Sequence, residues 1–109
     1  MQLVDNKDSF EQLLGSNTFV LAYFSGEGCS VCSAMKPRVE RLREMSFPQV
    51  NLVEIRIEKL PELAAQHTIF TIPAVLFFVD GREFIREVRI IDLHSLEQKI
   101  LKILDIYSS

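Results

Sequence analysis

Two uninterrupted apolar runs, TFVLAYF over residues 18–24 and AVLFFV over residues 74–79, limit what this chain can become more than any other feature. Each is too short for a free-standing helix and lacks polar alternation, so each reads as a strand covered on both faces. Strands of that kind need helices above and below them. From Ser30 onward, Val31, Met35, Val39, Leu42 and Met45 recur at three- and four-residue intervals, the spacing of one helix face. That stripe is expected to be core. Pro37 lies inside the helix, has no amide hydrogen to donate to the Ser33 carbonyl, and is expected to kink it.

The flanking segments complete the pattern. Asp5-Asn6-Lys7-Asp8 ahead of Phe10, Leu13 and Leu14 marks a capped helix closing at Gly15, preceded by a brief strand at residues 2–4. Residues 51–58 alternate, with Val53, Ile55 and Ile57 facing one way and Glu54, Arg56 and Glu58 the other, which predicts a strand with one polar side. Pro61 starts a short helix reaching about His67. Asp80-Gly81 is a two-residue hairpin signal leading into a partner strand over residues 83–90. Asp92 or Ser95 then caps a last helix whose stripe is Leu93, Leu96, Ile100, Ile103 or Leu104, and Tyr107. Crossover units followed by a terminal hairpin predict an α/β chain with a mixed sheet and helices on both faces.

At 109 residues, with 48% hydrophobic and 25% charged side chains, the chain suits one domain over residues 1–109, with enough apolar surface for a real core. Twelve basic against fifteen acidic residues give a net charge of -3. A phosphate-binding partner requires a basic excess, so nucleic acid is not expected as a ligand. The longest uncharged stretch, residues 63–79, is broken by Gln66, His67 and Pro73 and falls short of the roughly 20 apolar residues of a membrane span. Residues 1–11 carry three acids and no seven-residue apolar core, unlike a secretory signal or a transit peptide. A cytoplasmic monomer is the expectation.

The two cysteines, Cys29 and Cys32, stand two residues apart at the strand-to-helix junction, in Gly28-Cys29-Ser30-Val31-Cys32. So short a separation cannot tie distant segments together, so their role is local chemistry. Free backbone N–H groups and the helix dipole place roughly half a positive charge beside the first sulfur. A free thiol has a pKa of about 8.5, and helix N-termini with this cysteine spacing lower it to about 7 or below. Cys29 is therefore the candidate nucleophile, and Cys32, one turn on, the candidate resolving thiol.

Phe24-Ser25-Gly26-Glu27-Gly28-Cys29-Ser30-Val31-Cys32, with Lys36-Pro37 downstream and Thr71-Ile72-Pro73 opposite, resembles the thioredoxin family over nearly the whole chain. The resemblance implies a thioredoxin fold of about five strands and four helices, and a reversible dithiol/disulfide centre without further cofactor or metal. It implies a cis peptide at Pro73 and a substrate groove shaped by Gly28, Ile72 and Pro73, in which the Ile72 backbone pairs with a target peptide. It also implies protein substrates bearing disulfides and an upstream thiol reductant such as a thioredoxin reductase.

The chain departs from the family in several places. It has no tryptophan; Ser25 and Gly28 stand where the family has them. The family's buried aspartate aligns with Tyr23, and its lysine partner with Glu54. That double exchange suggests that the proton acceptor has moved across one strand, with Glu54 accepting and the Tyr23 hydroxyl holding it in place. The competing expectation is that Glu54 is solvated and Tyr23 only packs.

Other readings of the same residues are weaker. Zinc needs four ligands, and His67 and His94 lie far from the cysteines in sequence. Gly26 and Gly28 imitate a dinucleotide fingerprint, yet Val31 occupies its third glycine position. A structural disulfide closing so small a loop has little entropic effect. His67 and His94 are expected at the surface. Lys36 and Glu27 are expected to be exposed charges of little effect. A thiol–disulfide oxidoreductase acting on protein disulfides is the leading function. A binding module on the same scaffold, or a reductase dedicated to one target, is the alternative.

Overall fold

The structure, a computed structural model, describes residues 1–108. Its elements in chain order are β1 (Gln2–Leu3), α1 (Lys7–Ser16), β2 (Phe19–Ser25), α2 (Ser30–Ser46), β3 (Asn51–Arg56), α3 (Pro61–Gln66), β4 (Ala74–Val79), β5 (Arg82–Val88) and α4 (Leu93–Tyr107). The five strands form one sheet in the order β1-β3-β2-β4-β5. Strands β1, β3 and β2 run parallel, whereas β4 is antiparallel to both β2 and β5. Both apolar runs therefore lie inside the sheet, side by side.

Alternation along the strands sends side chains to two separate cores. Leu21, Tyr23, Leu52, Val75 and Phe77 meet Val39 of α2 and Leu96, Ile100 and Leu104 of α4. Val20, Ala22, Phe24, Val53, Ile55 and Leu76 meet Phe10 of α1 and Leu63 and Ala64 of α3. Two helices on each face explain why β2 and β4 carry no polar alternation: neither face of either strand reaches water.

Local chemistry fixes the element ends. The Asn6 side chain accepts from the Ser9 N–H at 2.8 Å and caps α1, which continues through Gly15 to Ser16 rather than stopping at the glycine. Asp92, not Ser95, caps α4: its carboxylate accepts from the Ser95 N–H at 3.0 Å. Asp80 and Gly81 take φ of 51° and 79°, the paired left-handed conformation of a type I′ hairpin. The last strand closes at Val88, two residues before the expected end, because Arg89 turns to a φ of 69°.

Two expectations about apolar and polar faces require correction. In α2, Val39 is buried and Met35 and Leu42 pack partly against the core, but Val31 is 55% and Met45 75% exposed. Val31 faces outward beside the buried Cys32, and Met45 lies in the last turn of the helix. Pro37 lies inside the helix, which continues past it to Ser46. In β3 the side bearing Glu54 is not a solvent face, since Leu52 on the same side belongs to the core beneath α2 and Glu54 is only 5% exposed. Parallel pairing on both edges of β3 places it inside the sheet, under a helix, where alternation alone does not lead to water.

Candidate redox site

At the end of β2 the chain must turn sharply into α2. A Cβ on Gly26 would lie 2.7 Å from Ile72 Cδ1, so a larger residue there would push the Ile72 side chain of the cis-proline loop aside. Gly28 has a φ of +72°, a conformation that L side chains avoid, and it delivers Cys29 to the N-cap of α2. There Cys29 Sγ accepts from the Cys32 N–H at 3.1 Å, and the Cys29 carbonyl accepts the Ser33 N–H at 3.2 Å. Cys29 and Cys32 are joined in a disulfide. Cys32 is 3% exposed, whereas Cys29 is partly open to solvent. The accessible sulfur thus sits among the free N–H groups and positive end of the helix, where an anion is favoured, with the other sulfur behind it.

The peptide bond between Ile72 and Pro73 is cis. Its loop is tied to the end of β5 by the Arg89 N–H, which donates to the Pro73 carbonyl at 2.9 Å. Ile90 beside that tie is 89% exposed and Phe70 before the loop is 78% exposed. Together with Val31 inside the cysteine motif they leave large apolar side chains in solvent, in a chain without tryptophan. Sequence reading singled out neither Phe70, which follows Ile69, nor Ile90, which it placed at the end of the last strand.

Beneath the disulfide lies a polar cluster. Tyr23 on β2 stands beside Glu54 on β3 in register, and Ser25 beside Arg56. The Ser25 hydroxyl donates to Glu54 Oε2 at 2.7 Å and Lys36 Nζ, from α2, donates to Glu54 Oε1 at 2.9 Å. The Tyr23 hydroxyl does not hold Glu54; it donates to the Cys32 carbonyl at 2.8 Å. Burial, with the Glu54 charge second, pushes the Tyr23 hydroxyl up to about 12, so it stays a donor. Burial alone would push the Glu54 carboxyl up as well. The hydrogen bonds from Lys36 and Ser25, aided by the Lys36 and Arg56 charges, outweigh it and hold the group below its ordinary value. Lys36 is therefore no idle surface charge. Its spacing of four residues after Cys32 places it on the same helix face, but its pairing with Glu54 follows only from the sheet order.

Ser25, Gly26, Cys32, Ser33, Lys36, Glu54 and Arg56 line a partly open cavity of about 100 Å³. Glu54 and Cys32 thus border the same polar space, which is large enough to hold water. The histidines lie elsewhere. His67 is half-buried among the Phe10, Phe24 and Phe78 rings instead of at the surface, and burial lowers its pKa. His94 is exposed in the first turn of α4. Among the described residues no helix is long and apolar enough to cross a membrane.

The comparisons agree with this architecture. Residues 1–102 match the family model for thioredoxin. A thioredoxin-like protein of Bacillus subtilis, YdfQ, is 34% identical over 99 residues, covering 91% of this chain and 88% of its own. The thioredoxin of Chlamydia trachomatis is 29% identical over 102 residues, 94% of this chain and 98% of its own. Among solved structures, Plasmodium falciparum thioredoxin superposes with a TM-score of 0.84 at 18% identity, covering 94% of this chain and 98% of that one. Fasciola hepatica thioredoxin does so at 0.83 and 22%, with the same coverage. At those identities the solved structures speak for the fold; the family model and the Bacillus relative speak for descent. A chain with this fold, this ancestry and a disulfide at the mouth of its second helix is a thiol–disulfide oxidoreductase, and it belongs to the thioredoxin family.

Proposed function

We propose that this protein reduces disulfides in other proteins, working as a monomer in the cytoplasm and re-reduced by an upstream thiol reductant such as a thioredoxin reductase. The observation that carries the reading is the unequal placement of the two sulfurs: Cys29 partly open at the positive helix end, Cys32 closed off one turn behind. In the reduced protein the Cys29 thiolate attacks one sulfur of the target disulfide, forming a mixed disulfide and expelling the target's other sulfur as a thiolate. The Cys32 thiol then gives up its proton, and its sulfur attacks Cys29 Sγ. The second target thiolate leaves, and the Cys29–Cys32 disulfide forms. Two electrons pass from the protein to the target.

Glu54 is the acceptor for the Cys32 proton, through the cavity both line. Tyr23 supports the step by fixing the Cys32 backbone. Gly28, Ile72 and Pro73 shape the groove for the target peptide, with Val31, Phe70 and Ile90 as its apolar rim. Catalytic reduction of insulin disulfides by dithiothreitol tests the reading. Turnover is expected with the parent protein and is lost in Cys29→Ser; turnover no faster than dithiothreitol alone contradicts it. The exposed Phe70 and Ile90 favour one narrower reading, a reductase dedicated to a single target. That reading expects slow insulin turnover but a covalent complex with the one target in Cys32→Ser.

A further inference from the structure

We propose that Lys36 is a positioning residue for resolution: from α2 it holds the Glu54 carboxylate ionised and turned into the cavity it shares with Cys32. The inference rests on Glu54 being the proton acceptor for Cys32, and goes beyond it by naming the residue that makes so deeply placed a carboxylate usable.

The geometry leaves Glu54 few partners. Its side chain is 7% exposed, and a carboxylate so enclosed stays charged only when it is paired and hydrogen-bonded. One oxygen accepts from the Ser25 hydroxyl and the other from Lys36 Nζ. The remaining groups facing the cavity leave Lys36 without a substitute. From β2, the Tyr23 hydroxyl is occupied with the Cys32 carbonyl. From β3, Arg56 Nε donates to Glu58 Oε2 at 2.8 Å, so its charge reaches Glu54 only at longer range. From α2, Cys32 is the reactant and Ser33 is neutral; the Ser33 hydroxyl has only a long contact, 3.4 Å, to the Cys29 carbonyl. Lys36 is thus the single cation hydrogen-bonded to Glu54 among the described residues.

Lys36 also lies one turn beyond Cys32 on the same helix, so one element carries both the thiol that loses the proton and the ammonium that steadies the acceptor. The step balances: the Cys32 thiol proton passes to the Glu54 carboxylate, through solvent in the cavity, and the electron pair left on Cys32 Sγ forms the bond to Cys29 Sγ. With the ammonium gone, burial would outweigh the single hydroxyl bond from Ser25. Glu54 would then hold a proton at mildly acid pH and could not take another.

The test mixes reduced protein with stoichiometric dithiobis(nitrobenzoate) in a stopped-flow instrument. The first nitrothiobenzoate released reports attack by Cys29, and the second reports resolution by Cys32. Lys36→Met is expected to resolve about tenfold more slowly than the parent near pH 5.5 and within about twofold of it near pH 8.5, where Glu54 is ionised in both; a carboxyl that titrates one unit above the assay pH is ionised only about a tenth of the time. The first release should be unchanged, and Lys36→Arg should restore the parent profile. A second-phase ratio of Lys36→Met to parent that stays constant with pH overturns the proposal, because lost packing slows all pH values alike. Glu54→Gln separates the two claims. If it resolves as fast as the parent, the acceptor reading fails and the inference with it. If Glu54→Gln is slow while Lys36→Met keeps the parent profile, only the role of Lys36 is refuted.

Discussion

At the scale of single residues, the account turns on which side chains the sheet brings beneath the disulfide. The cysteine pair was legible in the sequence through its spacing at a strand-to-helix junction, and the cis peptide at Pro73 through the family resemblance. Glu54 was legible only through its alignment with a residue of opposite charge. The partner assigned to it, Tyr23, was the wrong one: the tyrosine hydroxyl reaches the Cys32 carbonyl, and Ser25 and Lys36 take the carboxylate. Register decided this. Strands β2 and β3 place Tyr23 directly beside Glu54, but its long side chain points under α2 and passes the carboxylate by. A lysine eighteen residues from its partner cannot be paired with it by spacing in one chain.

The Glu54 arrangement has a consequence for acid stability. Its carboxyl titrates below the ordinary value near 4.5 in the folded protein. The folded state then binds fewer protons than the unfolded state in that range. Its contribution is complete above the unfolded pKa and is lost as pH falls through the folded one. Denaturant unfolding followed from about pH 5 to about pH 3 is expected to lose stability more steeply in the parent than in Glu54→Gln. Parallel slopes would show that the carboxylate gains nothing from its partners.

At the scale of elements, hydrophobic pattern settled what each segment is, and tertiary context settled where its faces point. The apolar runs of β2 and β4 have one solution and the structure takes it. The alternating β3 has two, because a polar face can look to solvent or lie beneath a helix, and only the sheet order decides. The α2 stripe was read as uniformly buried, yet Val31 and Met45 are exposed: in the first turn Cys32, not its neighbour Val31, faces the sheet. Caps were ambiguous where two candidates were adjacent. Asp92 proves to be the cap of α4, through its bond to the Ser95 N–H. Asp92→Ala is expected to lower unfolding free energy by about 1 kcal/mol, measured by urea denaturation, while Ser95→Ala should cost less.

At the scale of the whole molecule, two cores on either side of one sheet leave its C-terminal edge at β2 as the natural place for chemistry. Helices α2 and α4 close one face, and α1 and α3 the other. The cysteine motif, the cis-proline loop and the exposed Ile90 come from three distant stretches of sequence and converge at that edge through the Arg89 to Pro73 tie. Acidic Glu54 and basic Lys36 meet just below, so the proposed nucleophile, resolving thiol and proton acceptor all lie at the same edge.

The whole arrangement matters only if Cys29 reacts as an anion at the helix mouth. The direct measurement is the iodoacetamide alkylation rate of Cys29 in Cys32→Ser across neutral pH, set against a free thiol such as glutathione. At pH 7 the protein thiol is expected to react at least about tenfold faster, with a rate that changes little between pH 7 and 8. A rate equal to that of glutathione, rising with pH in step with it, would show that the helix end does not activate this sulfur.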